Sequence, residues 1–139
     1  MTEKSIIQKD FKKKAFDLSL KLKELFKGLI GISISSSLAY GSADEFSDID
    51  LDLWLPEKIY EEWTINCPLM DYFKEYSPNR ETPTNISFLV GDSHKFDIAL
   101  LSVERIKSEE WKIEQKANRK NSIIIFDTNN IVKNLLDEK

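Results

Sequence analysis

The chain has 139 residues, room for one domain over residues 1–139 and enough to bury about two thirds of its unfolded surface. Apolar residues make up 41% and charged residues 32%, a balance that argues against a disordered chain and against a membrane protein. Lys plus Arg is 20 and Asp plus Glu is 24, a net charge of -4, which disfavours a nucleic-acid substrate because a phosphate backbone asks for a positive surface.

The single cysteine, Cys67, has no internal disulfide partner, and with one histidine, His94, no zinc site of Cys/His spacing is expected. The opening segment MTEKSIIQKDFKKK is charged throughout, unlike the apolar core of a signal peptide. No apolar run approaches the roughly 20 residues of a membrane span, so a cytoplasmic protein is expected.

Phe11, Ala15, Leu18, Leu22, Leu25 and Leu29 recur in steps of four and three, which predicts an amphipathic helix closed at Gly28. Leu29 to Ser35, short and rich in Ile and Ser, reads as a strand, and the small-residue loop SSSLAYGSADEF follows. Ser47 to Leu55 then alternates without a break: Ile49, Leu51, Leu53 and Leu55 point one way, Asp48, Asp50, Asp52 and Trp54 the other, and Pro56 ends the run. Leu69, Phe73 and Tyr76 suggest helix within 57–76, where Pro68 fits only as an early helical residue.

Ser77 to Thr84, with two prolines, reads as a loop. Ile86, Phe88 and Val90 alternate with Ser87 and Leu89 before a turn at Gly91, Asp92 and Ser93, and Lys95 to Leu101 resumes as a strand, so the two form a hairpin. Phe96, Ile98 and Leu100 share one face and Lys95, Asp97 and Ala99 the other. Val103 to Ala117 reads as a charged helix capped by Ser102, Ser122 to Phe126 as a strand, and Ile131 to Leu136 as a short helix. The fold class is α/β (α+β): a mixed sheet of about four to five strands flanked by helices.

The chemistry concentrates at Asp48, Asp50 and Asp52. Carboxylates two apart on one strand face lie about 6 to 7 Å from each other and repel by roughly 2 to 3 kcal/mol at an effective dielectric of 20. No lysine or arginine lies between Gly28 and Lys58, so the local sequence offers no ion-pair partner and a hard divalent cation is the natural candidate. An acidic strand edge that is simply solvated carries the same pattern. The Ser/Gly-rich loop just before it, able to present backbone N–H groups and hydroxyls to phosphate, is what points to nucleotide chemistry.

The stretch SSLAYGSADEFSDIDL, residues 36–51, resembles the signature of the DNA polymerase β-like nucleotidyltransferase superfamily: Gly-Ser, about ten residues, then Asp-x-Asp. The minimal members of that superfamily include aminoglycoside and lincosamide nucleotidyltransferases and the MNT antitoxins. Gly41-Ser42 leaves only five residues before Asp48, whereas Ser36-Ser37 leaves ten and aligns the Leu-Ala-Tyr-Gly stretch, with Ser36 standing where the family carries glycine. The resemblance spans roughly residues 8 to 130 and is specific over 36 to 53.

It implies the polymerase β palm-like fold and a third carboxylate on a later strand, a part for which Asp97 fits. It implies as well that Asp48, Asp50 and Asp97 hold two Mg²⁺ ions, and that Ser37, with Ser36 and Gly41 shaping the loop, holds the triphosphate of ATP or another NTP. In-line attack by an acceptor hydroxyl would then release pyrophosphate, with Asp97 as general base. Asp52 stays outside this set and is expected to bond nearby backbone.

Lys95 and Arg80 are weaker candidates for phosphate, and Trp54, Trp63 and Trp111 are expected in the core rather than against a base. The implied acceptor is a small molecule or a protein, with a homodimer or a helical partner chain completing its site. The alternatives are an MNT-like antitoxin that adenylylates a helical partner, and a nucleotide-binding or interaction module without turnover.

Overall fold

Helix α1 (Glu3–Leu25) presents Phe11, Ala15 and Leu22 inward, all buried. Ser19 occupies the same stripe, and its hydroxyl donates to the Ala15 carbonyl at 2.6 Å, which satisfies a polar group that burial would otherwise penalise. These positions come from a computed structural model that describes residues 3–35, 48–90, 94–107, 119 and 122–137. The predicted stripe holds as far as Leu22; Leu25, the last helical residue, is exposed. Beyond it the chain turns at Gly28, where a β-carbon would meet the Cδ1 end of Ile59 and require that side chain to move.

Strand β1 (Gly31–Ser35) begins two residues later than the sequence suggests, and Leu29 reaches the core from the preceding turn. Strand β2 (Ile49–Leu55) shows the expected alternation: Ile49, Leu51, Leu53 and Leu55 join the large core cluster, while Trp54 belongs to a second cluster on the opposite face. After Pro56 the chain forms α2 (Glu57–Ile65), α3 (Pro68–Tyr72) and a single 3-10 turn at Lys74–Tyr76. The helix is interrupted at Asn66 and Cys67 because Pro68 has no N–H to continue it.

The stretch expected to be a loop contains a strand, β3 (Asn79–Thr82), paired with β4 (Asn85–Val90). Strand β5 (His94–Ser102) pairs antiparallel with β4, as the hairpin reading requires, and runs parallel to β2. The turn at 91–93 lies outside the described residues. Helix α4 (Val103–Lys107) follows, with Ser102 Oγ accepting from the Arg105 N–H at 3.3 Å as its cap. The rest of the expected helix, Trp111 included, lies outside the described residues. Strand β6 (Ile123–Asp127) and helix α5 (Ile131–Asp137) close the described chain.

The result is an α+β fold on one six-stranded mixed sheet, ordered β3-β4-β5-β2-β1-β6. The expectation of four to five strands fell short because β3, flanked by Pro78 and Pro83, carries no apolar alternation. One sheet face packs on α1, α2 and α3; on the other, α4 and α5 pack around Trp54, Val103, Ile106, Val132 and Leu135. The remainder of that second face is where the carboxylates lie. No helix among the described residues is long and apolar enough to cross a membrane.

Gly31 lies beneath α5. A β-carbon there would be 2.5 Å from Val132 Cγ2 and 2.9 Å from the Phe126 carbonyl oxygen, closer than packed atoms tolerate. Gly31→Ala is expected to destabilise the fold by about 1–3 kcal/mol, read as a lower urea midpoint at unchanged slope. Adding Val132→Ala should restore part of the loss by making room for the methyl.

Candidate active site

Because β2 and β5 run parallel in register, Asp50 stands directly opposite Asp97, and Asp52 opposite Ala99. Register extends the row sideways: Ser35 opposes Asp50 on β1, and Ser87 opposes Asp97 on β4. Four adjacent strands therefore carry Ser35, Asp50, Asp97 and Ser87 across one line of the polar face, with neighbours about 5 Å apart. Asp48, one residue ahead of β2, lies close enough to the Asp97 carboxyl to raise its pKa. The three carboxylates singled out from sequence are thus brought together by two strands that lie 47 residues apart in the chain.

Burial is the main reason the Asp97 carboxyl is pushed up to about 6. The hydrogen bond to Asp48 adds to the rise, Lys95 opposes it, and the negative charges of Asp48 and Glu81 reinforce it. An acid raised in this way is charged in the folded state only at a cost, which is absent below the ordinary value near 3.8 and complete above about 6. In EDTA, the wild type is expected to gain about 1–2 kcal/mol, after solvent screening, as the pH falls from 7 to 4.5, relative to Asp97→Asn. Urea unfolding of the two proteins at several pH values measures that difference; parallel curves would remove the coupling.

Among the described residues two cations answer the charge on this face: Lys95, two residues before Asp97 on β5, and Arg119, distant in sequence from all of the carboxylates. The ammonium of Lys95 lies 3.8 Å from Asp97, 3.9 Å from Asp48 and 3.8 Å from Glu81. Asp97 raises its pKa most, partial burial opposes that, and Asp48, Glu81 and Asp50 add smaller increments. The guanidinium of Arg119 donates from Nε to Asp52 Oδ2 at 3.0 Å. Asp52 is 1% exposed; burial raises its pKa more than Arg119 and the hydroxyl of Ser35 lower it. The expected backbone partner of Asp52 is therefore replaced by a side-chain ion pair. The inference that no cation balances the acidic strand holds only locally, since β5 and residue 119 supply one each.

Glu81, on β3, accepts from the Ser87 hydroxyl at 3.1 Å and joins the group around Lys95. Nothing in the sequence marked it, because its strand read as a loop. Arg80 is committed elsewhere: its guanidinium donates to the carbonyls of Trp63 at 2.9 Å, Pro83 at 3.2 Å and Ile65 at 3.4 Å, and to that of Thr64. It stitches β3 to the C-terminus of α2, where carbonyls lack helical partners, and does not reach toward phosphate. Trp54 and Trp63 are core residues as expected, and the Trp54 indole donates to Ser33 Oγ at 2.9 Å. Cys67 is buried, and burial pushes its thiol pKa up.

Ser36, Ser37 and Gly41 lie outside the described residues. Among the described residues, no three His, Cys, Asp or Glu side chains are gathered into a set that holds a metal ion as they stand. The donor chemistry of Asp48, Asp50, Asp97 and Glu81 is all carboxylate oxygen, which suits a hard cation, but three of the four are arranged around an ammonium. Neither the known protein-family models nor the curated protein sequences contain a match to the chain.

Proposed function

We propose that this domain is a divalent-cation-dependent nucleotidyltransferase of the polymerase β-like kind, with the palm-like version of its α+β fold, moving a nucleoside monophosphate from ATP or another NTP to a hydroxyl. The observation that carries this reading is the register of β2 and β5, which sets Asp50 beside Asp97 on the polar part of a sheet face, with Asp48 and Asp97 both within 4 Å of the Lys95 ammonium. A face that is merely solvated has no need of three carboxylates held together at a cost in pKa. The residue pattern at 36–50 agrees with it: a serine pair, ten residues, then Asp-x-Asp.

In this reading Asp48, Asp50 and Asp97 hold Mg²⁺ together with oxygens of the triphosphate. The cations supply positive charge to the triphosphate and to the departing pyrophosphate. Ser37, with Ser36 and Gly41, grips the terminal phosphates through hydroxyl and backbone N–H. Asp97 takes the proton of the acceptor hydroxyl as its oxygen bonds the α-phosphorus and the bond to the pyrophosphate oxygen breaks. The acceptor is a small molecule or a protein, and a second copy or a helical partner completes its site.

Calorimetric titration with Mg²⁺ and a nonhydrolysable ATP analogue tests the reading. Wild type is expected to bind in the micromolar range, with Asp48→Ala and Asp50→Ala weakened by about 100-fold or more. Equal binding by all three proteins would remove the carboxylates from nucleotide recognition. Because Ser36 takes the glycine position, a nucleotide-binding module without turnover is the second reading; it is supported if the analogue binds but no acceptor yields pyrophosphate from ATP.

A further inference from the structure

Lys95 is the residue around which the carboxylates are organised. Its ammonium lies within 4 Å of three of them, contributed by three different segments: Asp48 ahead of β2, Glu81 on β3 and Asp97 on β5. Asp50, the fourth, acts on it through space. No contact is short enough for a tight ion pair, and Lys95 and these three partners all keep some exposure, 38% for the Lys95 side chain against 40% for Asp48, 47% for Glu81 and 27% for Asp97. The ammonium is shared rather than bound to one partner. A lysine of that kind neutralises a cluster without closing it, because it has a flexible stem on which to leave.

We propose that Lys95 is the built-in counterion of this cluster: it stands in for the divalent cation when none is bound and competes with it for Asp48, Asp97 and Glu81. This deepens the nucleotidyltransferase reading and rests on it for the identity of the incoming ion. A divalent cation entering among these carboxylates meets a positive charge about 4 Å from each of them, and the two cannot both keep their places. Lys95 must swing out, which costs its contacts and lowers the apparent affinity for the ion in the absence of nucleotide. The same arrangement explains why the carboxylates are not already gathered at metal-ligand distance: they are spaced for an ammonium.

The test is a titration with Mn²⁺ alone, followed by the electron paramagnetic resonance signal of the free ion, on wild type, Lys95→Met, Lys95→Gln and Asp50→Asn. Removing one positive charge at this range is expected to tighten Mn²⁺ binding by about tenfold in both Lys95 variants, while Asp50→Asn weakens it. Thermal melting supplies a second readout: in EDTA the Lys95 variants should melt below wild type, and Mn²⁺ should raise their melting temperature more than it raises that of wild type. If wild type binds Mn²⁺, Asp50→Asn does not, and the Lys95 variants bind no tighter than wild type, the counterion role is wrong while the cation site stands. If no protein in the set binds Mn²⁺, the role and the cation-dependent reading fall together.

Discussion

Asp97→Asn is expected to abolish turnover while sparing most of the nucleotide affinity, and Asp50→Asn to abolish both. The difference follows from where the two carboxylates stand. Asp50 is flanked in register by Ser35 on one side and Asp97 on the other, at the centre of the polar row, so its charge serves any cation that brings the triphosphate in. Asp97 stands beside Asp50 on the neighbouring strand, and in the proposed reaction it receives the acceptor proton.

Losing a general base costs about 10²- to 10⁴-fold, so pyrophosphate release by Asp97→Asn with an effective acceptor should fall by roughly 10³-fold. Its dissociation constant for the Mg²⁺–nucleotide analogue should move by less than about tenfold, since Asp48 and Asp50 remain. In Asp50→Asn both quantities should fail together. Calorimetry and a coupled pyrophosphate assay on the same preparations separate the two patterns. An Asp97→Asn protein with undiminished turnover would take Asp97 out of the reaction.

The elements legible in the sequence were those whose apolar period is complete. Strand β2 alternates over its whole length, and its two faces were assigned correctly down to Trp54, because Ile49, Leu51, Leu53 and Leu55 all enter the large core cluster and one slip of register would have moved them to the face that carries Asp50 and Asp52. The β4–β5 hairpin was legible for the same reason. Strand β3 was not: Asn79, Arg80, Glu81 and Thr82 are polar throughout, and what makes them a strand is pairing to β4 and the anchoring of Arg80 on the carbonyls that end α2. Tertiary bonds of that sort leave no period to read.

The candidate site divides along the same line. Asp48 and Asp50 were marked by alternation and Asp97 by family resemblance, whereas the charges that answer the β2 carboxylates come from distant parts of the chain. Local scarcity of cations between Gly28 and Lys58 suggested a metal; the fold brings Lys95 and Arg119 into that gap. The case for a cation site therefore rests on geometry, the meeting of Asp48, Asp50 and Asp97, and no longer on a deficit of charge.

Arg119→Met is expected to be the most destabilising single change on the polar face. Asp52 is nearly inaccessible and Arg119 is only 14% exposed by its side chain, so the pair sits largely out of water. Removing one partner of a buried ion pair costs about 3–5 kcal/mol because it leaves an uncompensated charge. Here the carboxylate has an escape, protonation, and the cost therefore depends on pH.

Burial already holds the Asp52 pKa above its ordinary value even with Arg119 in place; without the guanidinium it rises further. A raised carboxyl contributes no penalty below the unfolded value and a growing one as pH climbs through the folded value, so Arg119→Met should lose more stability at pH 8 than at pH 5. Urea melts at the two pH values measure it. The double variant Asp52→Asn, Arg119→Met should recover a large share of the loss at pH 8 and show little pH dependence of its own, because no charge is left to strand. If Arg119→Met is as stable as wild type at pH 8, the pair is not what keeps Asp52 buried.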